Sequence, residues 1–333
     1  MDFKRSIQDC CKRERISQEM FCQRLGCTMS ELRYAGNWSR IAHGAWVAFG
    51  AKLEGYEPRS AREERAWAEQ LLPWIRRFPV KALQKRGLLP HGTCGAGSVR
   101  DVLRFMGVGG REGFDKTYTF TLDSVAPQVY AAWIRIGETL ASADAAKSKS
   151  TFAVDKDLLA RNLKTLTRNS GGGLRSAIAK ALRDSGIGYI EVDPFIAAPY
   201  PTCASFWIGD IPFIQASTSR INDSVLLESI CRTAWHIAAH PRRRSSFLVA
   251  PCNAPASPTQ NTQDAEAQKF AGDLLLPEAD ECRLICCGRF EEDRCIRYFS
   301  RTLRVRPGIL VERLQQQGKL PHRTLLNDFK VAV

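Results

Sequence analysis

Apolar residues recur every three to four positions through the first half of the chain, a spacing that indicates a series of helices. Ser17 stands where a helix would begin, Phe21 lies on its apolar side, and Gly26 falls where it would end. Residues 28–31 offer a cap for a second short helix. Two helices joined by a turn that contains glycine form the framework of a helix-turn-helix, and equally of a helical hairpin that only packs.

Three side chains of this hairpin region are candidates for contacts with DNA. They are Arg33, Tyr34 and Arg40, which follow the turn. In a helix-turn-helix the second helix enters the major groove, so side chains at this place contact base edges and phosphates. The first interpretation therefore predicts DNA as a partner, and the second does not.

The pattern changes at residues 169–173, where asparagine, serine and three glycines follow one another. Before this break, further helices are predicted over residues 61–78, 81–87, 99–105, 129–140 and 158–167. After it, strands are predicted over residues 188–192, 204–208 and 212–215, and helices over residues 174–182, 224–240 and 264–276. We therefore predict an α+β protein with a helix-turn-helix-like domain (1–60), a helical middle region (61–168), and an α+β domain with a small sheet (169–333).

Composition excludes several classes of protein. With 44% apolar and 25% charged residues, the chain is typical of a globular protein and not of a disordered one. It has no apolar run of about 18 residues, so we expect no membrane partner. The N-terminal residues lack the apolar core of a secretory signal, and the twelve cysteines are scattered along the chain. These features predict a cytoplasmic protein with reduced thiols.

The positive charge of the chain fits a nucleic-acid partner, but it also fits solubility alone. There are 48 lysines and arginines against 35 acidic residues, which gives a formal net charge of +13. The densest basic run is Arg242, Arg243 and Arg244. This run either contacts nucleic-acid phosphates or lies solvated at the end of a helix, where arginine suits the helix dipole.

Five parts of the chain, taken in order, are similar to one bacterial family. They are residues 74–83 with 85–87, residues 131–138, residues 163–167, residues 266–271 with 274–277, and residues 306–315. The last of them is Arg-Pro-Gly-Ile-Leu-Val-Glu-Arg-Leu-Gln. Together they resemble the ImmA/IrrE-like zinc metallopeptidases with an N-terminal XRE-type helix-turn-helix, a group that includes larger HigA-like antitoxins. The resemblance implies a zincin-like fold for residues 169–333.

In that family one helix carries His-Glu-x-x-His, whose histidines bind zinc and whose glutamate is the general base. The corresponding segment here is Cys-Arg-Thr-Ala-Trp-His-Ile-Ala-Ala-His, residues 231–240. In one placement His236 and His240 are the zinc-binding pair and Ile237 replaces the base. In the other, which we favour, His236 is the second histidine, Arg232 replaces the first and Thr233 replaces the base. Neither isoleucine nor threonine accepts a proton from zinc-bound water at neutral pH, so the resemblance implies a degenerate peptidase.

The degenerate motif leaves three alternatives for these side chains, of which one includes a metal. His236 and His240 are one helical turn apart, and the resemblance makes Glu266 a third zinc ligand. Alternatively, both histidines only pack or hydrogen-bond beside the apolar core. In the third alternative, Arg232 pairs with Glu266 where the metal would be. We favour a protein without a cofactor over a zinc protein.

The favoured function is that of a non-catalytic, DNA-associated regulator or antitoxin-like protein. Its degenerate peptidase domain would sense a signal, form a homodimer, or hold a toxin or repressor protein. One alternative is a divergent zinc endopeptidase that cleaves a repressor-like protein. The other is a protein-interaction scaffold that binds neither DNA nor zinc.

Overall fold

The computed structural model describes residues 3–34, 37–92, 95–118, 127–145, 154–168, 173–195, 202–239, 247–249 and 262–333. The chain forms two compact units, Met1–Thr139 and Leu140–Val333. The first is helical throughout its described part, and the second combines helices with a small sheet. The predicted α+β class is therefore confirmed. The finer division into residues 1–60, 61–168 and 169–333 stays a prediction.

In chain order, the helices of the first unit are α1 (Phe3–Glu14), α2 (Gln18–Leu25), α3 (Met29–Tyr34), α4 (Trp38–Phe49), α5 (Ala61–Ile75), α6 (Val80–Lys85), α7 (Ala96–Met106), α8 (Arg111–Thr117) and α9 (Pro127–Ala145), which contains the division between the units. The caps expected from the sequence are present around α2. The Ser17 hydroxyl accepts a hydrogen bond from the backbone N–H of Met20, and Gly26, at φ 73°, ends the helix in the left-handed region. Pro73 lies inside α5, which continues to Ile75.

Glycines allow helices of the first unit to approach one another closely. A Cβ atom on Gly113 of α8 would lie 2.0 Å from the carbonyl oxygen of Arg24 in α2. A Cβ atom on Gly109 would lie 2.9 Å from the Cα atom of Gly44 in α4. Because neither place accommodates a larger residue without displacement, the N-terminal helices and α8 form one closely packed body.

A buried network of charges lies where α2, α9 and the end of α7 meet. Arg24 and Glu138 are each only 5% exposed, and the guanidinium donates to the two carboxylate oxygens at 3.1 and 3.2 Å. Arg135 donates a further hydrogen bond to Glu138 at 2.8 Å. Burial by itself raises the pKa of Glu138, but the two arginines outweigh it and hold that pKa below its ordinary value. The carboxylate is therefore charged and paired.

In chain order, the elements of the second unit are α10 (Lys156–Leu166), α11 (Leu174–Asp184), β1 (Gly188–Val192), β2 (Cys203–Ile208), β3 (Ile211–Ser217), α12 (Asp223–Ala239), β4 (Phe247–Val249), α13 (Thr262–Leu275), α14 (Glu278–Cys286), α15 (Asp293–Leu303), α16 (Pro307–Gln316) and a 3₁₀ helix (Leu325–Phe329). The three predicted strands coincide with β1 or lie within β2 and β3. β4 was not predicted.

The sheet has the strand order β1-β3-β2-β4. β1 is parallel to β3, with Ile190 opposite Gln215, and β2 is antiparallel to both of its neighbours. β2 and β3 form a hairpin whose two-residue turn contains Gly209, at φ 61°. Helix α11 packs against β1, and α12 packs against β2 and β3, so α12 lies over the middle of the sheet.

Two further expectations from the sequence concern the environment of the chain. Within the described ranges, no helix combines the length and the apolar content that crossing a bilayer requires. All ten cysteines of the described part carry free thiols. The cytoplasmic location stays a prediction.

Candidate functional site

Helix α12, which contains residues 231–239 of the segment compared with His-Glu-x-x-His, belongs to the core of the second unit. Its first turn is capped by Asn222, whose side-chain oxygen accepts a hydrogen bond from the backbone N–H of Val225 at 2.9 Å. Of its residues, only Arg232, Trp235 and Ala239 are not buried. The helix is therefore enclosed on nearly all sides, which is typical of a central core helix.

Helix α13 packs along α12 and places an acid beside His236. Ala267 and Ala271 of α13 are fully buried, and their small side chains allow the two helices to approach closely. The rings of Trp235 and Phe270 stack with their centroids 4.4 Å apart. As a result, Oδ1 of Asp264 lies 3.2 Å from Nε2 of His236, and both side chains are largely buried.

The predicted metal ligands are only partly described. His236 is 5% exposed and pairs with Asp264, whereas Glu266 is exposed. Within the described ranges, no group of three or more His, Cys, Asp and Glu side chains is arranged to hold a metal ion. Because His240 lies outside those ranges, the predicted set of three ligands is not tested. Among the described ion pairs there is none between Arg232 and Glu266.

The residues predicted at the position of the base are packed in the core. The Thr233 hydroxyl is 0% exposed and donates a hydrogen bond to the carbonyl oxygen of Ser229 at 2.7 Å, and Ile237 is 3% exposed. The Nε of Arg232 is buried and has no hydrogen-bond partner in the described part of the chain. Burial raises the pKa of the neighbouring Cys231 thiol to about 12, so it is not a thiolate at neutral pH. These side chains offer neither a general base nor a nucleophile.

The three N-terminal candidates for DNA contact differ in their surroundings. Arg33 and Tyr34 lie at the end of α3, and both are exposed, Tyr34 at 81%. Arg40 of α4 is held between two carboxylates, with Glu31 at 2.9 Å and Glu112 at 3.1 Å. Arg33 and Tyr34 are therefore accessible to a ligand, whereas binding through Arg40 requires that these ion pairs break.

Four other predicted site residues lie outside the described ranges and stay predictions: His240, Arg242, Arg243 and Arg244. Conversely, Asp264 was not predicted. It precedes Glu266 by two positions on α13, and only the packing of α13 against α12 decides which of the two acids faces His236. Alanine at positions 267 and 271 is the one signal in the sequence that marks this contact face.

No protein-family model, curated protein or solved structure matches this chain. The resemblance to the ImmA/IrrE-like metallopeptidases therefore rests on the sequence segments alone and stays a prediction.

Proposed function

We propose that the chain is a non-catalytic, DNA-associated transcriptional regulator of the antitoxin type. The observation that carries this proposal is the arrangement of α2, the turn at Gly26 and α3, with Arg33 and Tyr34 exposed at the end of the second helix. Within the described part of the chain, Arg33 has no ion-pair partner. A net charge of +13 supports attraction to the phosphate backbone of DNA.

The contacts of α12 support the non-catalytic part of the proposal. Peptide hydrolysis on a helix of this kind requires a group that accepts a proton from water near neutral pH. Thr233 already donates its proton within the helix, Ile237 has no such group, and Asp264 pairs with His236. This favours α12 as a packed core helix, in a domain that holds a toxin or repressor partner or senses a signal.

Fluorescence anisotropy of the full chain tests the proposal, with labelled operator-sized duplexes from the DNA upstream of its own gene and from a shuffled sequence. We expect binding that weakens steeply with salt, because phosphate contacts release counterions. Arg33→Ala and Tyr34→Ala should each weaken binding to the upstream duplex about tenfold. Arg65→Ala is the matched control for Arg33→Ala, because it removes the same charge from an exposed, ion-paired side chain on α5.

Two results contradict the proposal. One is binding of both duplexes no tighter than that of a neutral protein of equal size at low salt. The other is an equal loss of affinity in Arg33→Ala and Arg65→Ala, which would mean that only the overall charge matters and that α3 has no special role.

A further inference from the structure

The second unit contains an open concavity of about 540 Å³ whose wall is rich in arginine. We define the arginine pocket by Arg168, Arg297, Arg301 and Arg304, which all line it. An apolar part of the wall includes Phe329. A volume of this size is typical of sites that hold a small molecule.

The buried Arg306 holds together the elements that bring these arginines to one place. Its backbone N–H donates to the carbonyl oxygen of Thr167 at 2.7 Å, and its Nε donates to that of Leu166 at 3.1 Å. Its guanidinium also lies 3.6 Å from Asp223 at the start of α12. The end of α10, and with it Arg168, is therefore fixed against the turn between α15 and α16.

The other three arginines are positioned by α15 and its end. Arg297 and Arg301 are four residues apart, so their side chains leave the same face of the helix. Arg304 ends the helix at φ 55°, in the left-handed region that residues other than glycine rarely adopt. The Ser300 hydroxyl fixes this turn by donating to the carbonyl oxygen of Val305 at 2.7 Å. The pocket is thus built on fixed backbone.

Within the described ranges, the protein compensates only one of the four positive charges of the arginine pocket with an ion pair. Arg297 pairs with Asp293 at 2.9 Å and lies over the Phe329 ring at 4.8 Å. Within the described ranges, Arg168, Arg301 and Arg304 form neither an ion pair nor a side-chain hydrogen bond. Three guanidinium groups around one concavity repel each other, and an anion in the concavity would relieve that repulsion.

We propose that the arginine pocket binds a small phosphate-bearing anion. A guanidinium presents paired N–H donors that match phosphate oxygens, and several guanidinium groups around one site suit a group with more than one negative charge. The apolar wall around Phe329 suits a carbon-containing part of the same ligand. The site uses neither Arg33 nor Tyr34, so it goes beyond the proposed DNA binding and does not depend on it.

Isothermal titration calorimetry of the full chain with pyrophosphate and with ADP tests the proposal. We expect saturable binding of at least one of the two at one site per chain. Arg301→Gln should weaken that binding about tenfold, and Arg168→Gln by a similar factor, because each removes charge-assisted hydrogen bonds. Arg294→Gln is the matched control: it removes the same charge from α15, where the Arg294 side chain is 89% exposed and does not line the pocket. Its affinity should equal that of the wild type.

Three results overturn the proposal. The first is the absence of binding of both anions. The second is an equal loss of affinity in Arg294→Gln and Arg301→Gln, which would mean that the anions respond to overall charge alone. The third is binding of a DNA duplex that requires Arg301 while neither small anion binds. This result would assign the arginines to a nucleic-acid surface.

Discussion

Arginine has two different roles in the two units of this chain. In the first unit, Arg24 is buried and donates to both carboxylate oxygens of Glu138. In the second unit, Arg168, Arg301 and Arg304 line an open pocket with no acidic partner in the described part of the chain. A buried guanidinium must be paired because its desolvation is costly, whereas an exposed one can exchange water for a ligand. The surroundings of an arginine, more than the net charge of the chain, therefore indicate its role.

The largest expected effect is on the buried network. Glu138→Gln leaves the charges of Arg24 and Arg135 without their carboxylate, so we expect the free energy of unfolding to fall by about 3–5 kcal/mol. Urea unfolding measures this change. Glu69→Gln is the control, because it removes the same charge from an exposed pair with Arg65, and it should cost less than about 1 kcal/mol. Similar small losses in both variants would refute a structural role for the buried pair.

The pH dependence of stability tests the same network, and the direction of the effect follows from the pKa of Glu138. The folded-state pKa of Glu138 lies below its ordinary value of 4.5, because Arg24 and Arg135 outweigh the effect of burial. Its contribution to stability is therefore complete above the unfolded-state pKa and is lost as the pH falls through the folded-state pKa. The Glu138→Gln variant should lack this part of the acid sensitivity when unfolding is measured from about pH 6 down to about pH 3. The same acid dependence in both proteins would contradict the assignment.

The next effect concerns the packing that places Arg24. Gly113→Ala places a Cβ atom 2.0 Å from the carbonyl oxygen of Arg24, and we expect the free energy of unfolding to fall by about 1–3 kcal/mol from overpacking. Gly110→Ala is the control, since a Cβ atom there meets nothing within 4 Å. Urea unfolding of both variants measures the two changes in stability. A harmless Gly113→Ala would mean that α2 is not held against α8, and that the N-terminal helices are a loosely attached module.

The smallest change in the free energy of unfolding is expected for a substitution in the arginine pocket. Arg301→Gln removes a charge that no group in the described part of the chain pairs with, so the free energy of unfolding should change by less than about 0.5 kcal/mol. A marked destabilisation by Arg301→Gln would remove the contrast with Arg24, because it would mean that Arg301 also stabilises the folded state. An increase in stability would fit the comparison, since the variant relieves repulsion among the guanidinium groups.

Much of the secondary structure follows from local signals in the sequence. Ser17 and Gly26 fix α2 because a cap hydroxyl and a left-handed glycine act within a few residues. The bounds of α4 are harder to predict, because Gly44 in its interior disfavours a helix. That glycine is explained by a contact from far along the chain, with Gly109. Local patterns thus predicted α2, α5, α12 and three of the four described strands, but they did not predict the close approaches between elements.

The candidate sites were predictable only where one segment carries them. The segment that we compared with His-Glu-x-x-His lies within ten consecutive residues, so the lack of a glutamate there was visible in the sequence. Asp264 was missed because its approach to His236 depends on the rotation of α13. The arginine pocket was missed because Arg168 is more than a hundred residues from Arg301, and only the fold brings them together.

We propose that α12 is a packed core helix and not the metal centre of a working peptidase. Elemental analysis of the purified, tag-free chain distinguishes these two roles of α12. We predict a zinc content well below one atom per chain, unchanged in His236→Ala. One zinc per chain that is lost in His236→Ala would contradict the claim and would favour a divergent zinc endopeptidase.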